Sequence, residues 1–215
     1  MAFKSIVSAT CAGLAVVSLN AKAVVIDFEE FESIAMINSP GTLIPTSARI
    51  SDQYLESDGV LFSSYDGFLA AVDLGLGHAT SGFVGVGGSS GDGLTYEGEY
   101  FRANFFAPGN TSSVAVTDFV TIRGDKITDG TGGIFSAFDI NGVLLGSDSH
   151  SNVAGHTFTL AYEGIHSVRF IGSGTIALDD FTFNPVVSAV PIPAAVWLFS
   201  SGLLGLVGVA RRKKG

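Results

Sequence analysis

A single cysteine, Cys11, and a shortage of positive charge set the first limits on this 215-residue sequence. Cys11 lies inside an apolar N-terminal stretch, so the rest of the chain has no thiol and no disulfide, and its stability must come from core burial, with a bound metal as a further staple. Lysines and arginines number 11 against 20 aspartates and glutamates. They are also unevenly placed: Lys4, Lys22, Arg211, Arg212, Lys213 and Lys214 stand at the ends. Arg49, Arg102, Arg123, Lys126 and Arg169 share the middle with every acidic residue, which gives that segment a net charge of −15. A body this acidic excludes nucleic acid, whose phosphates require Lys and Arg contacts. Divalent cations suit it better. Helical periodicity is scarce too, and no internal repeat or linker divides the chain.

What is present begins with two addresses. MAFKSIVSATCAGLAVVSLNAKA reads as a secretory signal peptide over residues 1–23. It has a short region with Lys4, an apolar core from Ile6 to Leu19 and a small-x-small site at Ala21-Lys22-Ala23. Cleavage there starts the mature chain at Val24. Cys11 does not mark a lipoprotein, because Leu14, Val16, Val17 and Leu19 continue the apolar core beyond it. At the other end, Ala194 to Ala210 is uncharged and apolar, about 26 Å if helical, and with Pro191 to Pro193 it approaches the ~30 Å hydrocarbon thickness. The expectation is a C-terminal transmembrane helix, with the body outside the cytoplasm and Arg211 to Lys214 inside.

Val190, Pro191 and Pro193, the glycine-containing apolar helix and the terminal Arg211-Arg212-Lys213-Lys214 cluster follow one another in a fixed order. Together they resemble the PEP-CTERM sorting signal in its VPxP variety, with Pro191-Ile192-Pro193 where the name-giving core has Pro-Glu-Pro. The resemblance covers residues 186–215. It implies recognition by an exosortase, an integral-membrane cysteine protease that cuts near the proline motif and releases or re-anchors its client. Localisation would then be transiently the inner membrane, and finally the cell surface or the extracellular space.

Between the addresses, residues 24–185 suit one domain. Period-2 runs separated by Gly, Asn, Asp and Ser read as strands: VVIDFEEF, GVLFSS, FLAAVDLG, YFRANFFA, SVAVTDFVTI, IFSAFDINGVLLG, HTFTLAYE, IHSVRFIG and TIALDDFTF. Asn141-Gly142 signals a two-residue type I′ hairpin. The fold expected is all-β, an antiparallel jelly-roll-like β-sandwich. In the last strand Ile176 and Leu178 have one parity and Phe181 and Phe183 the other, so a bulge near Asp179-Asp180 is needed to turn both pairs to one core.

That bulge motivates a metal site. The first strand carries Asp27, Glu29 and Glu30 and the last carries Asp179 and Asp180. If the terminal strands are neighbours, Glu29, Glu30, Asp179 and Asp180 can meet around a structural Ca2+, which takes six to eight oxygens. IDFE near the start and ALDDFTF near the end resemble galactose-binding-like and carbohydrate-binding-module jelly rolls, in which a structural calcium joins the termini.

No catalytic motif survives inspection. Gly87-Gly88-Ser89-Ser90-Gly91 fits G-x-S-x-G but continues as a glycine-rich loop where a nucleophile elbow needs a helix. Gly172-Ser173-Gly174 mimics a dinucleotide fingerprint, yet a strand follows it. His78, His150, His156 and His166 lack close metal-ligand spacing, and Arg123-Gly124-Asp125 reads as an ordinary turn. The expectation is an exported, noncatalytic surface or matrix protein whose sandwich binds extracellular polysaccharide, with Tyr54, Tyr65, Tyr96 and Tyr100 as candidate platforms. Two alternatives stand beside it: a secreted glycan hydrolase using Glu97 and Glu99 as an acid/base pair, and a purely structural biofilm component.

Overall fold

The structure is a computed structural model that describes residues 22–35, 43–64, 67–75, 79–88, 100–126, 132–153, 155–173 and 176–188. Residues 1–21 of the signal peptide and residues 189–215 of the sorting tail lie outside these residues, as do Tyr65, His78, Tyr96, Glu97 and Glu99. The described residues are all-β: β1 (Val24–Ile26), β2 (Ile34–Ala35), β3 (Arg49–Ile50), β4 (Val60–Ser63), β5 (Leu69–Asp73), β6 (Val84–Gly88), β7 (Tyr100–Ala107), β8 (Asn110–Lys126), β9 (Gly133–Phe138), β10 (Leu144–His150), β11 (His156–Ile165), β12 (Ser167–Gly172), β13 (Ile176–Phe183) and β14 (Val187–Ser188). A single helical turn, α1 (Leu55–Asp58), ends at Gly59, whose φ of 70° is natural for glycine at a helix end.

These strands form two layers joined through the β7–β8 hairpin. One layer runs β10-β9-β12-β7-β4. The other runs β11-β8-β13, after which β13 pairs with β6 through Leu178 and with β1 through Phe181 to Phe183. β6 continues to β5, which carries β2 and β3. Every pairing is antiparallel except that of β2 with β5. The 17-residue β8 serves both layers: its start pairs with β7 and β14, and its end lies between β11 and β13.

Alternation explains why the layers face each other. Phe101, Ala103 and Phe105 of β7, Val168 and Phe170 of β12, and Phe158 and Leu160 of β11 share parity within their strands, and all are fully buried. Their rings interlock across the gap, with Phe158 5.2 Å from Phe170 and Phe105 5.2 Å from Phe183. Phe181 sits at the centre, 5.3 Å from Phe62, 5.6 Å from Phe101 and 5.6 Å from Phe183 between ring centroids.

The bulge expected in the last strand is present. Asp179 is opposite Arg123 and Thr182 opposite Thr121, so β13 spends one extra residue, and Asp180 takes a left-handed φ of 48°. Leu178, Phe181 and Phe183 consequently enter one core, and Ala177 turns to a second small cluster with Val72 and Leu74.

Two local readings need correction. The Asn141-Gly142 turn is not type I′, because only Gly142 has positive φ (76°). Gly142 N–H donates to Asp139 O at 3.0 Å and Asp139 N–H to Val143 O at 2.9 Å, which makes a three-residue loop with glycine in the left-handed position. The Asp139 carboxylate accepts N–H bonds from Val143 and Asn141, and these hold its pKa below the ordinary value. Arg123-Gly124-Asp125, read as a turn, runs inside β8.

Removing the central ring should be costly. Phe181→Ala is expected to lower unfolding stability by about 3–5 kcal/mol, whereas Phe83→Ala, at a ring 48% exposed, should cost under about 1 kcal/mol. Urea unfolding midpoints of the two variants check this.

Candidate functional site

The chain leaves β1 through an unusual residue. Phe28 is fully buried yet has a φ of 62°, a costly conformation for a bulky side chain. Its ring packs 5.6 Å from Phe62, and the reversal closes a turn in which Phe31 N–H donates to Phe28 O at 3.3 Å. The strand therefore ends at Ile26, and Glu29 and Glu30 occupy a turn instead of a continuing β1. They part there. Glu30 accepts the Tyr54 hydroxyl, and Glu29 Oε1 accepts the N–H groups of Phe83 at 2.9 Å and Val84 at 2.7 Å.

Asp179 and Asp180 reach the same loop from the other end of the chain. Asp179 Oδ2 accepts N–H bonds from Thr80 at 2.9 Å and Ser81 at 3.0 Å, and its Oδ1 accepts Asp180 N–H at 2.7 Å. Asp180 Oδ1 accepts the Ser81 hydroxyl at 2.8 Å. Gly82 lies between these anchors with a φ of 49°, and a Cβ there would fall 2.0 Å from the Glu29 carboxyl carbon. Three of the four expected calcium ligands are thus brought to one loop, and Glu30 goes to Tyr54. Glu29 Oε1 and both Asp179 oxygens accept backbone N–H groups and Asp180 Oδ1 accepts the Ser81 hydroxyl, so these oxygens are already engaged within the protein. Among the described residues no group of three or more His, Cys, Asp or Glu side chains is arranged to hold a metal ion.

Burial dominates the ionisation of Asp179. Desolvation pushes its carboxyl up to about 6, with the Asp180 charge adding and the N–H bonds from Ser81, Asp180 and Thr80 opposing. Tyr54 is likewise raised well above its ordinary value, first by burial and then by its bond to Glu30. Its ring packs edge-on against Phe28 and Phe62, so Tyr54 is part of the core wall.

A different surface emerges on the outside of the β10-β9-β12-β7-β4 layer. Because Phe101, Ala103, Phe105, Val168 and Phe170 point inward, the residues between them point out. The register stacks them in rows. Ser63, Arg102, Arg169, Ser136 and Ser147 form one row, Leu61, Asn104, Ser167 and Phe138 the next, and Tyr100, Ile171, Ile134 and Ser149 a third. None of these outward positions is acidic.

Arg102 is exposed and stands directly opposite Arg169, whose guanidinium lies 5.0 Å from the centre of the Phe138 ring. Arg169 Nε is buried without a hydrogen-bond partner, and no acidic side chain pairs with either arginine among the described residues. A cleft of about 190 Å³ is bounded by Tyr100, Arg102, Phe138, Gly142, Ser167 and Arg169. Beyond the Tyr100–Ile171 pair a shallower cleft of about 440 Å³ runs past Ile134, His150 and Ser173. From Ser167 to Ser173 the surface extends roughly 20 Å along the strand direction.

Of the tyrosine candidates, Tyr100 lines this surface. Arg102, Arg169 and Phe138 were not expected as site residues. Their outward parity follows from the buried residues on either side, but the pairing of β7 with β12 that sets the arginines together has no local signal. The histidines behave similarly: His150 and His156, six residues apart, stack at 4.1 Å, and His166 Nδ1 lies 3.0 Å from Ala115 O. Gly172-Ser173 leads into a strand as expected, and Ser89 to Gly91 of the G-x-S-x-G stretch lie outside the described residues.

No protein-family model matches the chain, and no curated protein matches it. Among solved structures, a DUF4465 family protein from Bacteroides caccae is similar at a TM-score of 0.41 and 14% identity, over 76% of this chain and 99% of that one, a likeness too slight to bear on function.

Two outcomes follow from the carboxylates. The folded Asp179 has a raised pKa, so its contribution to stability is fully present below the unfolded value near 3.8 and is lost as pH rises through about 6. Between pH 4 and 7 the stability advantage of the wild type over Asp179→Asn should therefore shrink, as read by urea unfolding at each pH. Because Glu29 and Asp179 hold backbone N–H groups, melting in excess calcium and in chelator should differ by less than about 2 °C. A larger calcium-specific rise, lost in Asp180→Asn, would instead show that these carboxylates hold a calcium ion.

Proposed function

We propose that this is an exported, noncatalytic surface protein, sorted by its C-terminal tail and binding extracellular polysaccharide through the outer face of the β10-β9-β12-β7-β4 layer. The observation that carries the binding half is that face itself. It is open, roughly 20 Å long, and combines apolar side chains (Tyr100, Phe138, Ile134 and Ile171) with planar hydrogen-bonding ones (Arg102, Arg169 and Asn104). A sugar polymer needs both, since its ring faces are apolar and its rims are hydroxylated. The pairing of β7 with β12 in one layer and of β8 with β11 and β13 in the other supports a jelly-roll-like reading of the fold.

The sorting half rests on sequence. Val190-Pro191-Ile192-Pro193, the apolar stretch to Ala210 and the Arg211 to Lys214 cluster resemble an exosortase substrate, and the small-x-small site before Val24 supplies export. The hydrophobic tail is then a temporary address, as in a lipid-anchor signal whose tail is removed.

Intact mass of the protein extracted from the cell surface tests this directly. The expected species begins at Val24 and lacks most or all residues after the Val190 to Pro193 region. Replacing Pro191 and Pro193 by alanine should block the second cut and leave membrane insertion intact, because the apolar stretch survives. Recovery of an intact Arg211 to Gly215 terminus from the wild type would make the tail a permanent anchor.

A further inference from the structure

The polysaccharide reading leaves open what kind of sugar the face would hold, and its charge pattern is specific enough to answer. In a segment with net charge −15, five cations are available. Two of them, Arg102 and Arg169, are placed directly opposite each other on paired strands. Like charges in that position repel and destabilise a sheet. Neither is relieved by an acidic partner among the described residues, although 20 acidic residues are available to the fold. Arg169 also buries a guanidinium nitrogen with no acceptor. That nitrogen lacks the hydrogen bond a buried donor ordinarily makes.

One kind of ligand answers the first two features. A planar anion above the Arg102–Arg169 pair would screen the two charges from each other and accept hydrogen bonds from both guanidinium groups. Arginine is the side chain whose planar fork matches a carboxylate, and the match is bidentate. The surroundings fit a sugar ring attached to that carboxylate: Phe138 already lies against Arg169, Tyr100 bounds the other end of the cleft, and Ser167 lies between Asn104 and Phe138. The outward rows offer no Asp or Glu to repel it, and the Asp139 carboxylate, in the loop whose Gly142 bounds the cleft, is engaged by the N–H groups of Val143 and Asn141.

Building on the polysaccharide reading, we infer that the ligand of this face is a hexuronate-containing polysaccharide, with Arg102 and Arg169 together holding one sugar carboxylate and Tyr100 and Phe138 flanking the ring. The arginines are binding residues, and no covalent step is involved.

The test uses the full chain, solubilised in nonionic detergent, against four immobilised probes: polygalacturonate, the same polymer with its carboxyls reduced to alcohols, dextran sulfate, and neutral dextran. Polygalacturonate should bind best, and carboxyl reduction should weaken it at least tenfold. Arg102→Gln and Arg169→Gln should each cause a ten- to hundredfold loss toward polygalacturonate, the range expected of charge-assisted hydrogen bonds, and should leave the weak binding of the reduced polymer unchanged. Arg102→Lys should recover part of the loss, because charge is kept and the fork is not. Arg49→Gln, which removes a positive charge from the opposite layer, should leave binding unchanged and so exclude a net-charge effect. Arg102 is exposed, so its variants report even if Arg169→Gln proves poorly folded by melting.

Equal binding of native and reduced polymer would overturn the carboxylate inference and leave the polysaccharide reading standing. Equal or tighter binding of dextran sulfate, with the same arginine dependence, would also overturn it, marking a general anion site. Failure to bind any of the four probes or the producing cell's own extracellular polysaccharide would overturn the polysaccharide reading itself.

Discussion

The one-residue shift in β13 at Asp179-Asp180 is the constraint to which most of this structure answers. Without it, Leu178 and the Phe181–Phe183 pair would face opposite sides of the strand, and one of the two would leave the core. With it, β13 packs apolar side chains inward along both halves and still pairs with β8 on one edge and with β6 and β1 in succession on the other. The shift also fixes the direction of Asp179, which turns its carboxylate to the backbone of Thr80 and Ser81. A packing requirement and a loop anchor thus originate in the same local irregularity.

The two ends of the body meet at that anchor. Glu29 comes from the turn after β1, which φ > 0 at Phe28 makes possible, and Asp179 and Asp180 come from β13. All three hold the segment from Thr80 to Val84 just before β6. This accounts for a domain that has no disulfide after Cys11. Carboxylates accepting backbone N–H groups tie three distant stretches of chain together, the role a disulfide or a metal would otherwise serve. The arrangement has its own cost, visible in the raised pKa of Asp179, because a buried carboxylate gives up hydration that its N–H partners only partly replace.

Much of this was legible in the sequence, and the parts that were not share a cause. Strand parity and the bulge follow from alternation, which is local, whereas the adjacency of the terminal strands was expected only from the jelly-roll-like fold class. β6 was missed because Val84 to Gly88 reads as the start of a glycine-rich loop. Its glycines are there for close approach: a Cβ on Gly85 would come 2.6 Å from Leu74, and one on Gly88 would come 2.4 Å from the Tyr100 carbonyl oxygen. Glu30 was grouped with Glu29 because a continuing strand would carry both, and the reversal at Phe28 has no sequence signal, since a bulky residue is among the least expected at positive φ. The Arg102–Arg169 juxtaposition depends on which strand neighbours β7, a matter of topology that no window of sequence encodes.

That juxtaposition is also where folding and function separate. Every other unusual feature here contributes to stability: the bulge fills the core, the positive φ at Phe28 seats its ring, and Gly82 makes room for Glu29. The arginine pair offers the fold only the contact of Arg169 with the Phe138 ring. It sets like charges face to face on an outer surface, at a cost of up to about 1 kcal/mol in a sheet, in a chain with ample carboxylate to neutralise them. A local arrangement that works against the fold while its surroundings work for it is the pattern expected of a binding site, where the missing partner is supplied from outside.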